Sequence, residues 1–133
     1  ATHGVQLYGN VIIASPKLIA EKPEAVRAFL KAFTRGAKEG IANPEAAIAS
    51  MKAKDGLVNA PLEVKRLKLT IETAIDSAGA RAEGFGQLRT ERLQAMAEQV
   101  SKAYATKNPV PARAVWNGSF LPSAAELNIL PKR

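Results

Sequence analysis

Leu7-Tyr8-Gly9-Asn10-Val11-Ile12-Ile13-Ala14 is the stretch whose reading decides the fold. Its β-branched and aromatic residues favour extended backbone, and the apolar run Val11-Ile12-Ile13-Ala14 fits one strand buried on both faces. A strand over 7–14 is therefore expected. A lone strand is not a stable sheet, because its backbone donors and acceptors lack a ladder. Its neighbours must come from sequence beyond this chain, from a second copy, or from short pieces of the C-terminal tail.

Everything downstream reads as helix. Ser15-Pro16 is a start signal, with Ser15 as N-cap and Pro16 at the first helical position of a short helix to about Glu21. Pro23 restarts the chain into a longer helix to about Gly40. Its stripe of Val26, Phe29, Leu30, Phe33, Ala37 and Ile41 marks a buried face, with the phenylalanines as core anchors. Asn43-Pro44-Glu45 repeats the start signal, for a helix ending near Lys54 with Gly56 just beyond. Pro61 and Glu63 open the next, lined by Val64, Leu67, Ile71, Ile75 and Ala78 and stopped by Gly79. Thr90 caps a last long helix with Leu93, Met96, Ala97, Val100 and Tyr104 on its stripe, ended by Asn108-Pro109-Val110-Pro111. The tail, Ala112 to Leu130, reads as short turns and extended pieces around Trp116, Phe120 and Leu121. Five helices thus follow one strand.

Composition narrows the function class. The 133 residues suit one domain or a piece of a larger protein, and 47% hydrophobic residues place the chain in the globular range. No apolar run approaches the length needed to cross a bilayer. The net charge of +7 raises the question of an anionic partner, but the basic residues are interleaved with acids. Lys31, Arg35 and Lys38 share a helix with Glu24 and Glu39, and Lys65, Arg66 and Lys68 share one with Glu63, Glu72 and Asp76. Solvated helix faces account for this pattern better than a nucleic-acid footprint, so no nucleic acid is expected. The start Ala1-Thr2-His3 carries no signal-peptide pattern, and its closeness to the expected strand suggests a fragment.

No constellation for catalysis or metal binding stands out. The absence of cysteine excludes a disulfide framework, a thiolate metal site and a Cys nucleophile. His3, the only histidine, has no nucleophile or orienting acid at local spacing and is expected to be idle. Glu72 and Asp76 share a helical face, but Lys68 precedes Glu72 by the same interval, which fits an exposed ion-pair ladder. The glycines Gly79, Gly84 and Gly86 follow a helix and lack the Lys-Ser/Thr pair of a phosphate loop; they read as a turn with φ > 0 positions. Catalytic residues, metal ligands and cofactors are therefore all expected to be none.

The order of several segments carries a resemblance. Leu7 to Ser15 leads into Pro23-Glu24-Ala25-Val26-Arg27-Ala28-Phe29-Leu30-Lys31-Ala32, then Asn43-Pro44-Glu45-Ala46-Ala47, and near the end Gly118-Ser119-Phe120-Leu121-Pro122. From about Gly4 to Leu127 this order resembles the C-terminal portion of the NMT1/THI5-like solute-binding proteins of ABC transporters. The resemblance implies an α/β fold of the periplasmic binding protein type II kind. The present chain would be its predominantly α-helical C-terminal portion, with one main strand crossing a hinge at about 7–14 and a helical remainder over 16–130.

It also implies a periplasmic or otherwise exported receptor with a small-molecule solute as ligand, such as a sulfonate or a pyrimidine or thiamine precursor. The permease subunits of the transporter would be partners and the only link to the membrane. Tyr8, Gly9 and Asn10, at the hinge-strand end, are then the candidate ligand-binding residues: Tyr8 to stack or hydrogen-bond, Asn10 to donate and accept, Gly9 to admit close backbone approach. The same family extends to thiamine-pyrimidine synthases with a pyridoxal-type cofactor and a cysteine-rich signature, which a chain without cysteine does not match. A helical nucleic-acid-binding domain is the further alternative, resting on charge alone.

Overall fold

A computed structural model describes residues 8–108 and 110–132. The chain opens with extended backbone to Ser15 and then α1 (Pro16–Glu21), α2 (Pro23–Ala42), α3 (Pro44–Lys54) and α4 (Ala60–Thr70). The last runs into a π-helical turn, Ile71–Ile75. There follow α5 (Ala78–Glu83), α6 (Thr90–Ala103), α7 (Ala112–Val115), a 3₁₀ turn (Gly118–Phe120) and α8 (Ala124–Leu127).

The described residues contain no strand or sheet, which overturns the α/β expectation with its one main strand. Leu7 lies outside the described residues. Tyr8 to Ala14 are extended but unladdered, and Val11 and Ile13 are 61% and 87% exposed. β-branched side chains favour the conformation of a strand, but a strand also needs an adjacent backbone to pair with, and none of the described residues supplies one.

The helix start signals act as the sequence implies. Ser15 Oγ accepts from the Leu18 N–H at 3.1 Å, and Asn43 Oδ1 from the Ala46 N–H at 3.0 Å. Asn59 does the same for α4, accepting from the Leu62 N–H at 3.2 Å. Two stops and one start differ from expectation. Gly79 does not end a helix but lies inside α5; the break falls at Asp76-Ser77, where Ser77 Oγ caps the new helix by accepting from the Ala80 N–H. Arg89 rather than Thr90 stands at the N-cap of α6. That helix ends before its prolines, in a Schellman turn: the Thr106 N–H donates to Ser101 O and the Ala105 N–H to Lys102 O, with Ala105 at φ +49°.

Packing is thin. α3 and α4 form an antiparallel hairpin, its far ends joined by Lys68 Nζ and Glu45 Oε1 at 2.7 Å. α2 packs against α1, α3, α8 and the 3₁₀ turn, and α7 against α6. The C-terminal tail binds these parts together. Lys31 of α2 meets Glu126 of α8 at 2.9 Å, the Phe85 N–H donates to Leu127 O at 2.9 Å, and the Ala112 N–H to Gln94 Oε1 at 3.2 Å. Arg27 of α2 donates to Ser119 O and lies 4.8 Å from the Phe120 ring centroid.

Among the described residues the buried apolar ones are Ile48, Leu93, Ala112, Leu127 and Ile129. The phenylalanines expected as core anchors are not among them: Phe29 and Phe33 are 55% and 47% exposed, stacked on each other at 6.3 Å, with Phe33 also 6.4 Å from Phe85. The accessible surface of the 14.1 kDa chain is 10092 Å². A folded monomer of this mass typically exposes about 6,700 Å². The stripe read from periodicity is real, but its neighbours cover only part of it.

Candidate functional site

The segment holding Tyr8, Gly9 and Asn10 is tied to the start of α6. The Tyr8 N–H donates to Met96 Sδ at 3.3 Å, and the Tyr8 hydroxyl accepts from the Arg89 N–H at 2.9 Å. The Arg92 guanidinium lies 4.2 Å from the Tyr8 ring centroid, within cation–π range. Arg89, whose side chain pairs with Glu83 of α5, joins the same corner.

This corner gives Tyr8 a structural duty. Its hydroxyl receives a backbone N–H at the uncapped start of α6, and its ring covers Arg92. Tyr8 is half-buried, whereas Gly9 and Asn10 are exposed. A Cβ at Gly9 would meet nothing within 4 Å, so no close backbone approach within this chain demands glycine there. The three residues are adjacent in sequence, but only Tyr8 is drawn into the fold. Sequence reasoning did not single out Arg89 and Arg92; their position at the beginning of a helix is visible in the sequence, their placement against Tyr8 is not.

Two cavities lie elsewhere. One of about 190 Å³ sits at the elbow of α2 and α3, between Gly36, Gly40, Asn43 and Ala47. A larger one, about 530 Å³ and open to solvent, runs between α3 and α4. Its floor is Ala49, Ala60, Pro61 and Val64, and Lys52, Lys65, Lys68 and Glu45 stand around it. Neither is lined by Tyr8, Gly9 or Asn10.

The expected ladder of Lys68, Glu72 and Asp76 is absent. Lys68 turns to Glu45 on α3, and Asp76 takes a bidentate pair from Arg81, at 2.5 and 2.7 Å. The π turn rotates the end of α4 out of the simple i, i+4 register that the ladder requires. The Lys68 ammonium, by hydrogen bonding, holds the Glu45 carboxyl below its usual range, and Asp76 raises Arg81. His3 lies outside the described residues.

Residues 1–47 match the family model described as NMT1/THI5 like. The match spans the Tyr8–Asn10 segment, α1, α2 and the first turn of α3, and so includes three of the four segments that carry the resemblance; Gly118 to Pro122 fall outside it. The match covers 47 of the 133 residues. No curated protein and no solved structure matches the chain.

Proposed function

Taking the NMT1/THI5-like match over residues 1–47 as premise, we propose that this chain is the C-terminal portion of a two-domain, exported solute-binding protein serving an ABC importer. Its ligand is a small polar or anionic molecule, a sulfonate or a pyrimidine precursor, bound without chemical conversion. The permease subunits are its partners. The family match is the observation that carries the reading. The absence of cysteine in the chain fits a receptor better than a synthase with a cysteine-rich signature.

In such a receptor the solute contacts both domains and so favours the closed state over the open one. One portion alone keeps one wall of the binding site. The chain by itself is expected to bind such solutes weakly or not at all, while the full-length protein binds one of them and produces no product. Titration calorimetry against sulfonates and aminopyrimidines, on both forms, checks this. In the full-length protein Asn10→Ala is expected to weaken binding about tenfold without loss of helicity, the size of one lost hydrogen bond in a site. Tight binding by the chain alone, or turnover of a pyrimidine precursor, overturns the reading; an unchanged affinity removes Asn10 from the site.

A further inference from the structure

We infer that the groove between α3 and α4 is a docking surface for an acidic, amphipathic helix of a partner protein. This goes beyond the solute-binding reading and does not depend on it.

The groove follows from the spacing on both helices. Glu45, Ala49 and Lys52 recur at helical intervals on α3, and Pro61, Val64 or Lys65, and Lys68 do so on α4, so two stripes meet along one side of the hairpin. Small side chains on the floor, Ala49 and Ala60 above all, leave room for another helix to approach closely, as ridges fit grooves at helix contacts. The cavity of about 530 Å³ is wide open. A small-molecule site instead encloses most of its ligand, so the shape suits a macromolecular occupant.

Charge identifies that occupant. Lys68 is engaged by Glu45, but Lys52 and Lys65 form no ion pair with the described residues. Two unpaired ammonium groups beside an apolar floor complement a helix that carries leucine or alanine on one face and acids at its flanks. A second copy of this chain is disfavoured, since each copy carries a net +7. The floor holds no aromatic ring on which a base would stack. At the hairpin's tip Leu57 is 95% exposed, its N–H held by Asp55 Oδ1 at 3.0 Å, which presents an apolar side chain beside the same helix pair.

The test uses the whole chain and a fluorescent synthetic peptide with a leucine-alanine face flanked by glutamates. Its twin carries lysines in place of the glutamates. Anisotropy at low salt is expected to show the acidic peptide binding and the basic twin not. The double variant Lys52→Glu/Lys65→Glu is expected to lose about tenfold or more in affinity, as buried or flanking charge reversals do. Ala49→Trp, which fills the floor, is expected to abolish binding, with helicity by circular dichroism unchanged in both variants. Methyl resonances of Ala49, Ala60 and Val64 should shift on titration. Absence of binding, equal binding of the basic twin, shifts confined to other methyls, or tighter binding of a DNA duplex or of anionic vesicles each overturn the proposal. If Ala49→Trp fails to fold, the lysine reversal and the methyl shifts decide alone.

Discussion

At Gly84 the backbone has φ +103°, and a Cβ built there would lie 2.9 Å from the Cβ of Leu127. Leu127 is 1% exposed, the most buried side chain described. Alanine at 84 therefore meets both a backbone conformation that L residues avoid and a neighbour with nowhere to go. Gly84→Ala is expected to destabilise the fold by about 1–3 kcal/mol, the range for a strained backbone site. Gly9→Ala, with open space around it, should stay within about 0.5 kcal/mol of wild type. Urea denaturation followed by circular dichroism compares the two, and an equal, small effect would show that Leu127 is not the anchor described. The sequence marks Gly79, Gly84 and Gly86 as a turn with φ > 0 positions; Gly84 and Gly86 are, at +103° and +81°, whereas Gly79 lies inside α5. What selects Gly84 as the demanding one is its contact with a residue 43 positions away, which no local pattern records.

Among the elements, α8 shows how a four-residue helix is held in place. Ser123 and Glu126 form a reciprocal capping box, and Glu126 also meets Lys31 of α2. The hydrogen bond from Lys31, then those from the Ser123 side chain and backbone, hold the Glu126 carboxyl at a pKa of about 2, against 4.5 unperturbed. Because the folded pKa is the lower, the ionised form favours folding. That contribution is complete above about pH 4.5 and is lost as pH falls through about 2. Glu45, lowered by Lys68, acts in the same direction. Glu45 is exposed and Glu126 only half-buried, so the effect is modest and salt-sensitive. The urea midpoint is expected to drop between pH 5 and pH 2, and Glu126→Gln should lessen that drop without removing it. A variant with the wild-type pH dependence would exclude Glu126 from it. The caps Ser15 and Asn43 were legible because an N-cap and a proline are neighbours in sequence, with an acid following at Glu45; the Lys31–Glu126 pair was not, because it joins distant helices.

For the molecule as a whole, surface area is the governing quantity. At 10092 Å² it exceeds the usual value for its mass by about half, and Val11, Ile13, Phe29, Phe33 and Leu57 contribute large exposed apolar area. A chain that buries little on folding exposes little more on unfolding, and the dependence of stability on denaturant scales with that difference. The isolated chain is expected to unfold in urea with a slope below about 1 kcal/mol/M, at or under the low end for small proteins. It should also bind a hydrophobic dye in its native state. A steep, cooperative transition with no dye binding would mean that the exposed residues are covered in solution.

The sequence by itself determined where the proline-led helices α1 to α4 begin, because capping and proline preferences act within one turn of chain; it did not show the restart at Ser77 or the short helices α7 and α8 in the tail expected to be turns and extended pieces. It also determined which residues share an apolar stripe, because the helical period is local. Its resemblance to NMT1/THI5-like proteins holds over residues 1–47. Tertiary structure decided the rest. It left Tyr8 to Ala14 without a strand to pair with, set Tyr8 against Arg89 and Arg92, and kept Phe29 and Phe33 half in water. Hydrogen-bonded ladders and burial both require a second surface, and which surface arrives is a property of the assembled chain rather than of any segment in it.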